Sequence, residues 1–180
     1  MNVGPYDRER IVLCSADAGP NSQRNDPDSA KYFFPGAKWV GALRNASERL
    51  ECRFVILTTG HGMVNPDDQI GPYDMHIDEH YTHVEDSWNV TVPLLLRTGQ
   101  YDILVFYSGG CPRDRYLNLL VPILHQCYIA CLTFGRSNTY DLGKVDQVVS
   151  LITTGTTTEE LKSILRCPEA LEFFPVERRH

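Results

Sequence analysis

Between Val55 and Asp74 an apolar run, Val55-Ile56-Leu57, breaks into Thr58-Thr59-Gly60-His61-Gly62, then a loop set by Pro66 and Pro72 closes on Tyr73-Asp74. A histidine flanked by glycines at a strand end is accessible, and imidazole can give or take a proton near neutral pH. His61 is therefore a candidate general acid or base. Asp17, just past another apolar run, and Asp74 are the carboxylates placed to share a site with it. Ser15 and Ser108 also stand at strand ends, but without a GxSxG elbow the spacing specifies no Ser/His/Asp triad.

The elements that must position these residues follow from the apolar pattern. Four runs of strand length occur at residues 10–15, 53–58, 103–107 and 128–134. Each is nearly continuous rather than alternating, as in strands buried on both faces of a parallel sheet. Residues 38–50 place Trp39, Val40, Leu43, Ala46 and Leu50 on one helical face. Residues 81–97 and 113–126 also read as helices, each with a proline (Pro93, Pro122) expected to kink or restart it. Short helices at 144–152 and 157–165 close the chain, the second with Thr157, Thr158, Glu159 and Glu160 as cap and first-turn acids. The order β-α-β-loop-α-β-α-β-α-α predicts a single three-layer α/β domain over residues 1–180. Its sheet is doubly wound, mainly parallel and of at least four strands, with 1–9 and 172–180 as loosely held ends.

Ligands of such sheets sit outside the carboxyl ends of the strands. Reading those ends gives Ser15 and Asp17, with Asn25 in the loop beyond; then Thr58, Thr59, Gly60 and His61; then Ser108, Gly109 and Gly110; then Arg136. Glycines there let a ligand approach backbone donors. Ser108-Gly109-Gly110 ahead of a helix reads as an anion cradle to which Arg136 could add a bidentate contact. Residues 74–86 add three histidines and five carboxylates. If that stretch is helical, His76, His80 and His83 share a face, a weaker candidate for a divalent metal, since no HExxH pattern accompanies them.

Composition narrows the classes. Seventeen basic against 23 acidic residues give a formal charge of -6, which disfavours a broad duplex-binding surface but leaves a local nucleic-acid contact open. No apolar stretch approaches the ~20 residues of a membrane span, and no signal region opens the chain, so a cytoplasmic protein with no membrane partner is expected. Six cysteines without CxxC spacing read as buried, reduced thiols. The pattern is silent on oligomeric state.

The run Ile56-Leu57-Thr58-Thr59-Gly60-His61-Gly62-Met63-Val64-x-Pro66-x-x-x-Ile70-x-Pro72-Tyr73-Asp74 resembles the ILSAxYGLLxPxxxIxPYD signature of a family of small bacterial and phage proteins of unassigned activity. That family is distantly similar to the peroxide-stress YaaA proteins and to uracil-glycosylase-like domains. Cys14-Ser15, Tyr32-Phe33-Phe34 with Trp39, Gly109-Gly110 and Tyr116-Leu117 extend the likeness over residues 10–135. Thr58-Thr59 stands where the family has Ser-Ala, His61 where it has Tyr, and a lysine common after the first-strand cysteine is absent.

The resemblance implies a nucleotide, nucleoside or nucleobase ligand. Tyr73 or Phe34 would stack on the base, Asp74 or Asn25 would read its edge, and glycine amides would hold a phosphate. The expected activity is cleavage or transfer at an N-glycosidic bond, with Asp17 or Asp74 stabilising positive charge or activating water and His61 assisting the departing base. Two alternatives stand beside it: a non-catalytic nucleotide or nucleic-acid binding protein, and a metal-dependent hydrolase using the histidine cluster. No cofactor is expected under the leading reading.

Overall fold

The computed structural model describes residues 1–109, 113–135, 142–165, 169 and 171–176. The chain runs through β1 (Asn2–Val3), β2 (Ile11–Ala16), β3 (Asp28–Ser29), α1 (Ala30–Phe33), α2 (Lys38–Leu50), β4 (Arg53–Thr58), β5 (Gly62–Val64), β6 (Gln69–Ile70), α3 (Tyr81–Leu96), β7 (Ile103–Tyr107), α4 (Arg113–Gln126), β8 (Ala130–Thr133), α5 (Val145–Thr154), β9 (Thr156–Thr157), α6 (Thr158–Ile164) and β10 (Glu172–Phe174).

Six strands form one sheet in the order β10-β8-β7-β2-β4-β5. The inner four are parallel, and both edge strands are antiparallel. Every residue of β2 is buried, with Ile11 and Leu13 facing one core and Val12, Cys14 and Ala16 the other. That double burial is why the run is continuously apolar. Val40 and Leu43 of α2 and Val148 and Ile152 of α5 fill the first core; Val84 and Trp88 of α3 and Leu120 and Leu124 of α4 fill the second. The expected α/β class with helices on both faces is what the chain adopts.

The order of the strands locates a crevice. β2, the first of the parallel four, lies between the second, β4, and the third, β7. The helix after β2 covers one face, whereas those after β4 and β7 cover the other. Crossovers that part to opposite faces leave an opening at the carboxyl ends of β2 and β7.

Several expectations are corrected. α3 and α4 run through Pro93 and Pro122, which lie away from the buried stripes, so water can serve the carbonyls deprived of a donor. Residues 2–3 and 172–174 are tied down, pairing with β9 and β8 respectively. The short strand β5 folds back on β4 where the sequence suggested an open loop. Cys14, Cys127 and Cys131 are buried free thiols as expected and Cys52 is a half-buried one, with burial pushing Cys52 up to about 11 and raising Cys14 and Cys131 well above the usual thiol range. Cys111 and Cys167 lie outside the described residues. Among the described residues no helix is long and apolar enough to cross a membrane.

Candidate functional site

Asp17 follows β2 directly, and its N–H donates to the Leu57 carbonyl at 3.0 Å, extending the pairing with β4 past the strand. The residue is only 2% exposed. A buried carboxylate must be hydrogen-bonded or it neutralises itself. Here Oδ2 accepts from the Thr59 N–H at 2.9 Å and from the Tyr73 hydroxyl, while Oδ1 accepts from the Tyr116 hydroxyl. Thr59 Oγ1 stands 3.3 Å from Oδ2 but 2.6 Å from the Met75 carbonyl, so its one proton goes to the nearer oxygen. Burial lifts Asp17 above the ordinary carboxylate range, and donors from Tyr116, Tyr73 and Thr59 only partly pull it back.

Local structure explains how these groups converge. Thr58 Oγ1 donates to the Gly62 carbonyl at 2.8 Å and accepts from the His61 N–H at 2.9 Å, pinning the β4–β5 turn. That turn aims the Thr59 N–H at Asp17. A Cβ on Gly60 would stand 2.3 Å from Tyr73 Cγ, so only glycine lets the tyrosine ring lie there. Gln23 Oε1 accepts from the Tyr73 N–H at 3.1 Å. On the far side Tyr116 rises from α4 against the rings of Trp88 and Phe106, with centroids 5.4 and 6.2 Å away. The Trp39 indole donates to the Ala16 carbonyl at 3.0 Å, holding the end of β2.

Asp17 lies on a cleft of about 250 Å³ that Thr59, Tyr73, His76, Asp78 and Tyr116 also line. His76 Nε2 is 3.3 Å from Asp74 Oδ1 at its exposed rim. A larger cavity, about 860 Å³, opens at the opposite end of the sheet beside Arg10 and Asp102 and is lined by Tyr6, Tyr101, Tyr128 and Phe173. Volume alone would favour it. The buried carboxylate and the strand ends favour the smaller cleft as the candidate site.

The expected site residues divide. Asp17, Thr59 and Tyr73 come together, and Thr58 and Gly60 support them without lining the cleft. His61 is exposed; its Nε2 donates to the Gly71 carbonyl at 2.8 Å and its ring sits edge-on to Tyr73 at 5.3 Å, so it braces the tyrosine. Asp74 is exposed and meets His76, not Asp17. Asn25 is exposed outside the cleft lining. Phe34 is 4% exposed in the core and Tyr73 is packed on Gly60, so neither presents an open face for stacking.

Ser15 is buried with an Oγ that meets no partner among the described residues, and Ser108 is buried as well. Gly109, at φ +58, is covered by the Trp39 indole, where a Cβ would stand 2.3 Å from Cε2. That glycine makes room for the protein's own ring. Gly110 and Arg136 lie outside the described residues, so the anion cradle they were to complete is not described. Arg24, Arg113 and Arg115 each pair with a carboxylate, on Asp28, Glu172 and Asp78.

The histidine cluster is not one helical face: α3 begins at Tyr81, and His76 and His80 belong to the preceding turn. Among the described residues no three His, Cys, Asp or Glu side chains converge as metal ligands would. The residues that sequence reasoning missed are Tyr116, Gln23 and Asp78, with His76 considered only for metal. Tyr116 stood in the sequence as a tyrosine one turn into the helix after the third strand, a signal that also fits plain core packing.

No protein-family model, curated protein or solved structure significantly matches the chain.

Proposed function

We propose that the chain acts on a nucleoside or modified base, cleaving or transferring at the N-glycosidic bond, with Asp17 facing the sugar. The observation that carries this reading is the buried Asp17 carboxylate, held by Tyr73 and Tyr116 on a cleft at the strand ends. As a C1′–N bond breaks, positive charge spreads over C1′ and the ring oxygen. A pre-oriented carboxylate in a water-poor site stabilises that charge without having to reorganise. The tyrosine hydroxyls favour the anion that this role needs.

The cleft, about 250 Å³, is smaller than the roughly 300–1,000 Å³ of typical ligand pockets, which suits a nucleoside better than a dinucleotide. The likeness of Pro72-Tyr73-Asp74 and the preceding run to the bacterial and phage signature supports a base-containing ligand. Free buried thiols support a reducing, cytoplasmic setting. A second reading, a non-catalytic nucleoside binder, draws on the same geometry, since both oxygens of Asp17 already accept hydrogen bonds.

Chromatographic detection of free base from a panel of purine, pyrimidine and modified nucleosides separates the two. Base release that Asp17→Asn abolishes in a folded variant supports the enzyme. Binding without release supports the second reading, and full turnover by Asp17→Asn refutes the role given to Asp17.

A further inference from the structure

Breaking a C1′–N bond leaves an electron pair on the base nitrogen, and an unactivated base departs slowly unless a proton reaches it. The cleft therefore needs an acid as well as Asp17. His61 does not supply it, because it lies outside the cleft lining with Nε2 engaged by Gly71. His76 does line the cleft. Its backbone carbonyl accepts from the N–H groups of Glu79 and His80 at 3.2 and 2.9 Å, which fixes the turn that carries it. Its Nε2 lies 3.3 Å from Asp74 Oδ1, and the two form an ion pair at the exposed rim when the ring is protonated. A histidine on the cleft with an acid behind it is the arrangement by which imidazoles are held for proton transfer.

Building on the N-glycosidic reading above, we propose that His76, oriented by Asp74, is the acid that protonates the departing base of an unactivated nucleoside. With Nε2 paired to the Asp74 carboxylate, the imidazolium passes the proton on Nδ1 to the base. The C1′–N bond breaks with its electron pair going to the base nitrogen. A water oxygen then bonds to C1′ and its proton passes through the Asp17 carboxylate to solvent, while His76 regains a proton from solvent. The sum is nucleoside plus water giving free base plus sugar. His76 is thus a catalytic residue and Asp74 a positioning one.

The test compares two leaving groups. Wild type, His76→Ala, Asp74→Asn and Asp17→Asn are assayed on adenosine and on 4-nitrophenyl β-D-ribofuranoside, whose nitrophenolate departs without needing a proton. The loss in His76→Ala is expected to be about 100-fold greater on adenosine than on the nitrophenyl riboside. Asp74→Asn is expected to shift the same ratio by less, and Asp17→Asn to lower both rates together. Equal losses on the two substrates in His76→Ala, or no loss on either, overturn the role of His76 while leaving that of Asp17 standing. Cleavage of neither substrate by wild type overturns the N-glycosidic reading and this inference with it.

Discussion

Tyr73 lies so close against Gly60 that a methyl group on residue 60 would stand 2.3 Å from its Cγ, and the same tyrosine reaches Asp17 with its hydroxyl. The glycine next to His61 therefore serves an aromatic ring that holds a buried acid. Gly60→Ala is expected to destabilise the protein by about 1–3 kcal/mol, the usual cost of overpacking. Urea denaturation measures it, and a Tyr73→Ala background should relieve most of the cost, because the clash needs both partners.

Tyr116→Phe removes one hydroxyl and little volume, leaving the Asp17 carboxylate short of a donor. A hydrogen bond to a charged group contributes about 1.5–3 kcal/mol, so a loss of that order is expected above the raised Asp17 value, where the carboxylate is ionised. Denaturation of Tyr116→Phe beside Asp17→Asn/Tyr116→Phe checks it, since the loss should shrink once residue 17 carries no charge.

The direction of the Asp17 shift fixes a pH dependence. Its folded value is raised above the ordinary 3.8, so the folded state binds its proton more tightly than the unfolded chain does. Asp17 thus contributes stability that is complete below 3.8 and is lost as pH rises through the raised folded value. Denaturation midpoints of wild type and Asp17→Asn across that window should show the wild type losing ground to the variant as pH rises. Parallel curves would contradict the shift.

Asn25 is exposed and apart from the cleft lining. Asn25→Ala is expected to change stability by no more than about 0.5 kcal/mol, as surface substitutions do, and to leave nucleoside affinity as it was. Calorimetric titration of that variant checks whether the loop bearing Asn25 contributes to the site.

The four parallel strands and the long helices were legible because burial on both faces leaves continuous apolar runs and helices keep an apolar stripe. Asp17 was legible for a related reason: a carboxylate one residue beyond a buried strand must lie at the strand ends where such folds bind. His61 misled because exposure and flanking glycines look the same whether a histidine faces a ligand or braces a tyrosine. The strand-end glycines misled in the same way. What fills the space over Gly60 and Gly109 is Tyr73 and Trp39, which are 13 and 70 positions away in the chain. Such distant pairings leave no local period to read. Tyr116 was hidden because its ring packs like a core residue and only its hydroxyl reports on the site.

The most direct test is an amide chemical-shift titration of the labelled wild-type protein with purine and pyrimidine nucleosides. A nucleoside is expected to bind the cleft on which Asp17 lies. Perturbations should cluster on Ala18, Gly19, Thr59 and residues 75–78. Shifts centred instead on Tyr101, Tyr128 and Phe173 would move the ligand to the opposite end of the sheet, and the absence of shifts with every nucleoside would contradict nucleoside binding outright.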